Sequence, residues 1–197
     1  RDAPDAAVLV DLQEAGRQAG DLATHQAGER HDAQDVQGLA GRQPQVAAVH
    51  ALGARPDVQH DSGFLQQAID LDPNYAQAYA GLADSFALMG DWEYGVLAPK
   101  DALPRAKAAA IKALELDNSL GEAHTSLAFA LDSFDWDWGS AESEFKRALE
   151  LNPGYATAHQ WYSWHLIQMG RNSEAIDQMR KAESLDPLSL IISADMA

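Results

Sequence analysis

From Ala68 onward the chain contains one phrase three times, and this repetition limits what it can fold into. The phrase is A-I-D-L-D-P-N-Y-A-Q-A-Y from Ala68, A-L-E-L-N-P-G-Y-A-T-A-H from Ala148 and, more loosely, A-L-E-L-D-N-S-L-G-E-A-H from Ala113. The alanine-rich part predicts a helix, which must end near the proline because proline has no amide hydrogen and disfavours helical geometry just before it. A unit of two such helices cannot bury its apolar face alone, so neighbouring units must stack.

The spacing of the closing residues defines the units. Pro153 and Pro187 are 34 residues apart, Asn118 and Pro153 are 35 apart, and Pro73 and Asn118 are 45 apart. One unit is therefore regular, one has a single extra residue, and one has an insertion of about eleven, judged against a period of about 34. We expect the insertion between Trp92 and Leu103, as a longer loop between two helices.

Bulky, small and turn-forming residues recur at matching positions in each unit. In the third unit they are His159, Tyr162, Ser163, Leu166, Gly170, Ala175, Met179, Ala182 and Pro187. This pattern resembles tetratricopeptide repeats, which implies an all-α, right-handed α-solenoid of antiparallel helix pairs with about three full repeats plus a partial one. The resemblance divides the array 62–197 into a partial unit 62–75, repeats 76–120, 121–155 and 156–189, and the start of a further helix, 190–197.

Small residues are expected where two helix backbones approach closely. Ala83, Ala113, Ala128, Ala148 and Ala182 should therefore be buried at helix crossings. The leucines two residues before each closing position should pack the helix ends onto the next unit; they are Leu71, Leu116, Leu151 and Leu185. The turn residues Asp72, Asp117 and Asp186, and less strongly Asn152, should accept hydrogen bonds from free amides.

Composition excludes some classes of function. The formal net charge is −16, which disfavours nucleic-acid binding because phosphates require a concentrated basic surface. The chain has no cysteine, which fits a reducing, cytoplasmic compartment. No apolar stretch is long enough to predict a membrane-spanning helix.

Residues 1–61 differ from the rest of the chain. Up to Gly63 the sequence has no aromatic residue, lysine, isoleucine or asparagine. One interpretation is a leader that is disordered or loosely helical, because it lacks the large apolar side chains that a core requires. The other is that this segment comes from a shifted reading frame of a G+C-rich gene. The composition leaves both open.

The sequence predicts no catalytic, cofactor-binding or metal site, and no enzyme motif of the common kinds occurs. The run His60, Asp61 and Ser62 is expected to be chance, because a triad is recognised by geometry and not by adjacency. His124 and His159 share the repeat position of Tyr79 and are expected to be packing residues.

Two groups of turn residues have alternative interpretations. Asp132, Asp135 and Asp137 lack the spacing of a calcium loop and are expected to be solvated acids. The aromatic residues are Trp92 and Tyr94 in one turn and Phe134, Trp136 and Trp138 in the next. We expect them to cover helix ends as local clusters. The alternative is a contact edge for a partner.

The resemblance implies a concave groove lined by the first helix of each unit, where such proteins bind peptides. The corresponding residues are Gln77, Ala80, Asp84, Leu88, Glu122, Thr125, Phe129, Asp132, Thr157, Gln160, Trp164, Ile167 and Gln168. None is lysine or arginine, so the groove lacks the donors that clamp acidic chaperone tails. We therefore expect a protein or peptide partner of basic and apolar character.

Phrases such as E-A-H-T-S-L-A and N-P-G-Y-A-T-A-H-Q-W-Y-S resemble repeat arrays on the C-terminal side of bacterial winged-helix regulators, nucleotide cyclases and kinases. The resemblance implies an interaction scaffold in a signalling or regulatory protein. A hydrolytic enzyme with an unrecognised site and the regulatory part of a DNA-binding transcription factor are the alternatives. Leu190, Ile191, Ile192 and Met196 should form an apolar edge, which either continues into further sequence or forms a homodimer.

Overall fold

The computed structural model describes residues 58–91 and 97–195, and all regular structure within these ranges is helical. A π-helical turn, Leu131–Asp135, follows the fourth α-helix directly. The α-helices are α1 (Val58–Leu71), α2 (Ala76–Met89), α3 (Pro99–Leu116), α4 (Gly121–Ala130), α5 (Trp138–Leu151), α6 (Ala156–Gln168), α7 (Asn172–Leu185) and α8 (Leu190–Asp195). None of them is both long and apolar enough to cross a membrane.

The helices stack in the manner of a solenoid. Each helix packs on the next one in sequence, and α2 also packs on α4, and α4 on α6. The first helices of the units thus form one row, α2, α4 and α6, which we call the inner row. The second helices are α1, α3, α5 and α7, and each packs on the inner-row helix or helices next to it in sequence. This arrangement confirms the predicted all-α solenoid of helix pairs.

As predicted, alanines are buried where neighbouring helices cross, and we call these contacts the alanine seams. Ala83, Ala113, Ala128, Ala148 and Ala182 are all fully buried. Because a methyl side chain lets two helix backbones approach closely, the larger side chains fill the grooves that remain. The main core contains these larger residues beside further alanines; among the larger ones are Leu82, Phe86, Leu103, Phe145 and Leu166.

The second helices end where the sequence predicts, at Leu71, Leu116, Leu151 and Leu185. Leu116, Leu151 and Leu185 are half-buried, but Leu71 is 73% exposed, so its predicted packing role is wrong. The reason is the rotation of α1, whose buried side runs through Ser62, Gln66 and Ile69 and leaves Leu71 on the opposite side.

Two of the turn acids act as expected. Asp72 Oδ1 accepts from the amide of Asn74 at 3.0 Å, and Asp117 Oδ1 accepts from the amide of Ser119 at 2.9 Å. The hydroxyl of Ser119 also donates to Asp117 Oδ1. The two hydrogen bonds from Ser119 lower the pKa of Asp117, and the bond from the hydroxyl is the larger cause. The side chain of Asn152 donates to a residue of a different helix, as described below.

The eleven-residue insertion is not a loop throughout. The helix α3 begins at Pro99, so the last part of the predicted loop is helical, and α3 has 18 residues where α2 has 14. Proline at the first helical position explains this, because its fixed φ favours a helix start and its missing amide is not needed there. Trp92 and Tyr94 lie outside the described residues.

The single extra residue of the second repeat is taken up by the π-helical turn. In the third repeat, the chain leaves its first helix through Gly170 in the left-handed conformation, with φ of 71°. In the second repeat, the left-handed position falls on Trp136, with φ of 58° and ψ of 25°. A π-helical turn accommodates one added residue without breaking the helix.

The two ends of the described array refine the predicted boundaries. The helix of the partial unit begins at Val58, before the expected start at Ser62. At the other end, α8 is the predicted further helix. Ile192 is buried against α7, so it does not belong to a bare edge, whereas Leu188 and Leu190 are exposed. Met196 and residues 1–57 lie outside the described ranges.

Candidate functional site

The inner row carries the residues predicted to line a groove, and the structure places most of them inside the array. Gln77, Ile167 and Gln168 are exposed, and Glu122 and Trp164 are half-buried. Neighbouring inner helices approach closely enough to bury the remainder, which are Ala80, Asp84, Leu88, Thr125, Phe129, Asp132, Thr157 and Gln160. Contact of these residues with a partner stays a prediction. The accessible inner surface is narrower than the sequence indicates.

Polar side chains join α2 to α4 inside the array. The buried Ser126 hydroxyl lies 3.4 Å from Asp84 Oδ1. The phenolic oxygen of Tyr155 is buried nearby. Burial first, and then the negative charge of Asp84, raises the pKa of Tyr155 well above its ordinary value. The phenol is therefore neutral, and its oxygen has no hydrogen-bond partner among the described residues.

The turn after α5 is tied to the inner row by Asn152. Its Nδ2 donates to Glu122 Oε1 at 2.8 Å, a bond that the sequence does not predict. Because Asn has two amide donors as well as an acceptor, it can reach a carboxylate on the preceding helix where an Asp would be repelled. Glu122 is thereby fixed at the surface of α4.

Asp132 is buried, so its interpretation as a solvated loop acid is wrong. Its Oδ1 lies 2.7 Å from His165 Nδ1, and its Oδ2 accepts from Gln168 Nε2 at 3.0 Å. The imidazole of His165 packs against the rings of both Phe145 and Tyr162, at centroid distances of 5.9 and 6.0 Å. His165 Nε2 has no hydrogen-bond partner among the described residues. The network locks α6 onto the end of α4.

A further contact joins α6 to α8. Gln160 Nε2 donates to Asp195 Oδ2 at 2.7 Å. Burial raises the pKa of Asp195, an effect opposed by hydrogen bonds from Gln160 and Trp164. The Trp164 side chain also packs against the cluster that contains Ile192. The helix α8 therefore takes the inner position of the next repeat.

His124 and His159 are buried, and each is hydrogen-bonded to the second helix of its own unit and to the turn before its own helix. His124 Nδ1 lies 2.5 Å from Glu144 Oε2 on α5, and its Nε2 lies 3.2 Å from the carbonyl oxygen of Asn118. His159 repeats the pattern with Gln178 and the carbonyl oxygen of Pro153, at 2.6 and 3.1 Å. The predicted packing role is correct, but the sequence reasoning missed the bonds. The sequence did contain a signal for these bonds, because each histidine is followed by its polar partner about twenty residues later.

The charged residues at the predicted groove positions are all carboxylates, on or beside the inner row. Asp84, Glu122 and Asp132 lie on or beside it, and no lysine or arginine occupies a predicted groove position. The basic side chains near this region pair elsewhere: Arg171 Nη1 bonds Glu142 Oε1 at 2.5 Å, and Lys146 lies 2.9 Å from the same oxygen. These partners lower the pKa of Glu142 to about 2. The predicted groove positions therefore offer no basic side chain to an anion.

The aromatic residues between α4 and α5 do not cover helix ends. Phe134, Trp136 and Trp138 are exposed, and we name these three residues the aromatic turn. The rings of Trp136 and Trp138 meet edge to face, with centroids 6.3 Å apart. The expected local cap is therefore wrong for this turn. Their role as a contact edge stays a prediction.

Across residues 58–91 and 97–195, no three His, Asp or Glu side chains are placed to hold a metal ion together.

The sequence has a partial match among characterised proteins. No protein-family model matches it. The chain is 29% identical over 130 residues to the transcriptional regulator HilA of Salmonella typhimurium, a match that covers 66% of this chain. The chain spans only 23% of the length of that regulator.

The fold is similar to those of solved structures. The crystal structure of MamA is 24% identical, with a TM-score of 0.46, and the match covers 69% of this chain and 75% of MamA. The crystal structure of TTC0263, a thermophilic tetratricopeptide-repeat protein of Thermus thermophilus, is 18% identical, with a TM-score of 0.53. That match covers 93% of this chain and 96% of TTC0263. Together with the stacked helix pairs, the similarity to TTC0263 shows that the chain has the tetratricopeptide-repeat fold.

Proposed function

We propose that this chain is a protein-interaction scaffold whose inner row binds a basic and apolar segment of another protein. One observation carries the proposal: the charged side chains at the predicted groove positions are the half-buried Glu122 and the buried Asp84 and Asp132, Ile167 adds exposed apolar surface, and no lysine or arginine is present. A ligand with cationic and apolar side chains is complementary to such a surface, whereas an acidic tail is repelled.

The accessible part of this surface lies at the end of α6. Ile167 is 54% exposed, Gln168 beside it is exposed, and Trp164 one turn earlier is half-buried. Asp132 lies below these residues and is bonded to Gln168, so its charge acts close to the surface. An apolar and aromatic surface above a carboxylate fits a segment in which apolar residues alternate with lysine or arginine.

The similarity to a transcriptional regulator supports a place for the scaffold within a bacterial regulatory protein. We propose that it acts in the cytoplasm and that it is not an enzyme, since tetratricopeptide-repeat proteins typically serve as non-enzymatic scaffolds. The net charge of −16 disfavours direct contact with nucleic acid by this part, and we propose no membrane contact. A regulatory part of a DNA-binding transcription factor is compatible with the same scaffold role. A hydrolytic site is the remaining alternative, and an esterase and phosphatase screen tests it.

Selection from a display library of random 16-residue peptides tests the proposed ligand chemistry. We expect enrichment of lysine, arginine and apolar residues among bound peptides, relative to the unselected library. Ile167→Lys should weaken the selected peptides by about tenfold or more, because it removes apolar surface and adds a repelling charge. The matched control is Ile176→Lys on α7, where the isoleucine is 48% exposed, and it should leave their affinity unchanged.

Two results would contradict the proposal. One is enrichment of acidic peptides, or micromolar affinity for a labelled acidic chaperone-tail peptide. The other is an equal loss of affinity in the Ile167 and Ile176 variants, which would place binding outside the inner row.

A further inference from the structure

The aromatic turn exposes large rings to solvent, and the stability of the fold does not explain a tryptophan at its centre. Trp136 is 69% exposed and therefore contributes little buried area. Its backbone is left-handed, with φ of 58°, a conformation that a bulky residue rarely adopts. The corresponding left-handed position in the next repeat is held by Gly170. Neither burial nor backbone conformation explains a tryptophan here, and strain of this kind is found at functional sites.

The turn is held in place from both sides. The amide of Trp136 donates to the carbonyl oxygen of Leu131 and closes the π-helical turn, and the amide of Asp137 donates to the same oxygen at 3.0 Å. Asp137 Oδ1 then accepts from the amide of Ser140 at 3.2 Å and caps α5. Asp135 Oδ2 lies 2.5 Å from Lys107 Nζ on α3. Because these bonds fix the backbone, little conformational freedom of the turn is lost on binding.

The shape and charge of the turn select a cation. The rings of Trp136 and Trp138 are inclined at 61°, so they form two walls of a corner at the surface. Indole faces attract ammonium and guanidinium groups, more strongly when nearby carboxylates add to the field. Asp135 and Asp137 flank Trp136 in sequence, and Lys107 is already paired with Asp135. A second copy of this chain would bring like charges together, since each carries −16.

We propose that the aromatic turn is a docking surface for an arginine- or lysine-bearing segment of a partner protein, with the cation in the corner between Trp136 and Trp138. This surface is separate from the inner row and does not require that the inner row be occupied.

The test uses the ¹⁵N-labelled chain and a short peptide, Gly-Arg-Leu-Arg-Gly with blocked ends, against its twin with citrulline in place of arginine. Citrulline keeps the shape of arginine and removes the charge. We expect the arginine peptide to shift the indole N–H signals of Trp136 and Trp138 and to bind about fivefold to thirtyfold more tightly than the twin. The indole of Trp164 reports separately on the inner row, so failure of one surface does not obscure the other.

The variant Trp136→Gly removes the ring and relieves the backbone, so it should melt at or above the temperature of the parent chain. We expect it to lose the arginine preference, while Leu71→Ala, at an exposed leucine on α1, keeps it. Equal affinity for the two peptides, or unchanged affinity in Trp136→Gly, would overturn the proposal. Concentration-dependent shifts of the same indole signals without peptide would overturn it in favour of a second copy.

Discussion

The substitution Gly121→Ala is expected to have one effect on stability from the repeat pattern and the opposite effect from the structure. At the same repeat position the other units carry Ala76 and Ala156. Comparison of the repeats therefore suggests that Gly121→Ala is harmless or stabilising, because alanine is the better helix former by roughly 0.5–1 kcal/mol. The structure predicts the opposite sign.

The contact explains the difference. A Cβ atom on Gly121 would lie 2.9 Å from the Cβ of Asn152 and 3.1 Å from the carbonyl oxygen of Ala148. Both atoms belong to the end of α5 and are not the tips of flexible side chains, so the backbones must separate. Overpacking of this kind costs about 1–3 kcal/mol, which exceeds the gain in helix propensity. We expect a net loss of about 1–2 kcal/mol in the free energy of unfolding.

Gly139→Ala is the matched control. It lies in the first turn of α5, and the nearest atom to an added Cβ is Asp137 Oδ1 at 4.0 Å. This variant should gain up to about 1 kcal/mol. Urea unfolding followed by circular dichroism should move the midpoints in opposite directions, and Gly121→Ala should lower the melting temperature by about 2–6 °C. Equal stabilisation by both substitutions would refute the close approach of α4 and α5.

Three further predictions test other parts of the array. Ala148→Leu should cost about 1–3 kcal/mol in the free energy of unfolding by overpacking a fully buried seam; an unchanged melting temperature would contradict the assigned register. Asp132→Ala should cost about 1–3 kcal/mol, because it leaves the buried imidazole of His165 without its partner; near-neutral unfolding free energy would contradict that network. Glu142→Gln should cost about 1–2 kcal/mol at pH 7, after allowance for a side chain that is 26% exposed. Because partners such as Arg171 depress the folded-state pKa of Glu142 from 4.5 to about 2, its contribution is complete above about pH 5 and disappears as the pH falls towards 2. The difference in unfolding free energy between parent and variant should therefore shrink over that range, and a constant difference would refute the ion pair.

Much of the fold is determined by local chemistry, so this part of the fold could be predicted from the sequence alone. The second helices end two residues before Pro73, Pro153 and Pro187, because proline constrains its own backbone and that of its neighbour whatever surrounds it. The alanine seams were equally predictable, since a 34-residue period places Ala148 and Ala182 at the same crossing in successive units.

The tertiary structure alone decided which side chains remain accessible. From the sequence, Asp132 is expected to be a solvated loop acid and Leu71 a packing residue. In the structure Asp132 is buried and Leu71 is exposed, because the rotation of each helix and the approach of its neighbour determine which side chains are buried. The extra residue of the second repeat was visible in the spacing, but only the fold shows that it becomes a π-helical turn and brings Trp136 to the surface. Such outcomes depend on contacts between residues distant in sequence, which a local pattern does not contain.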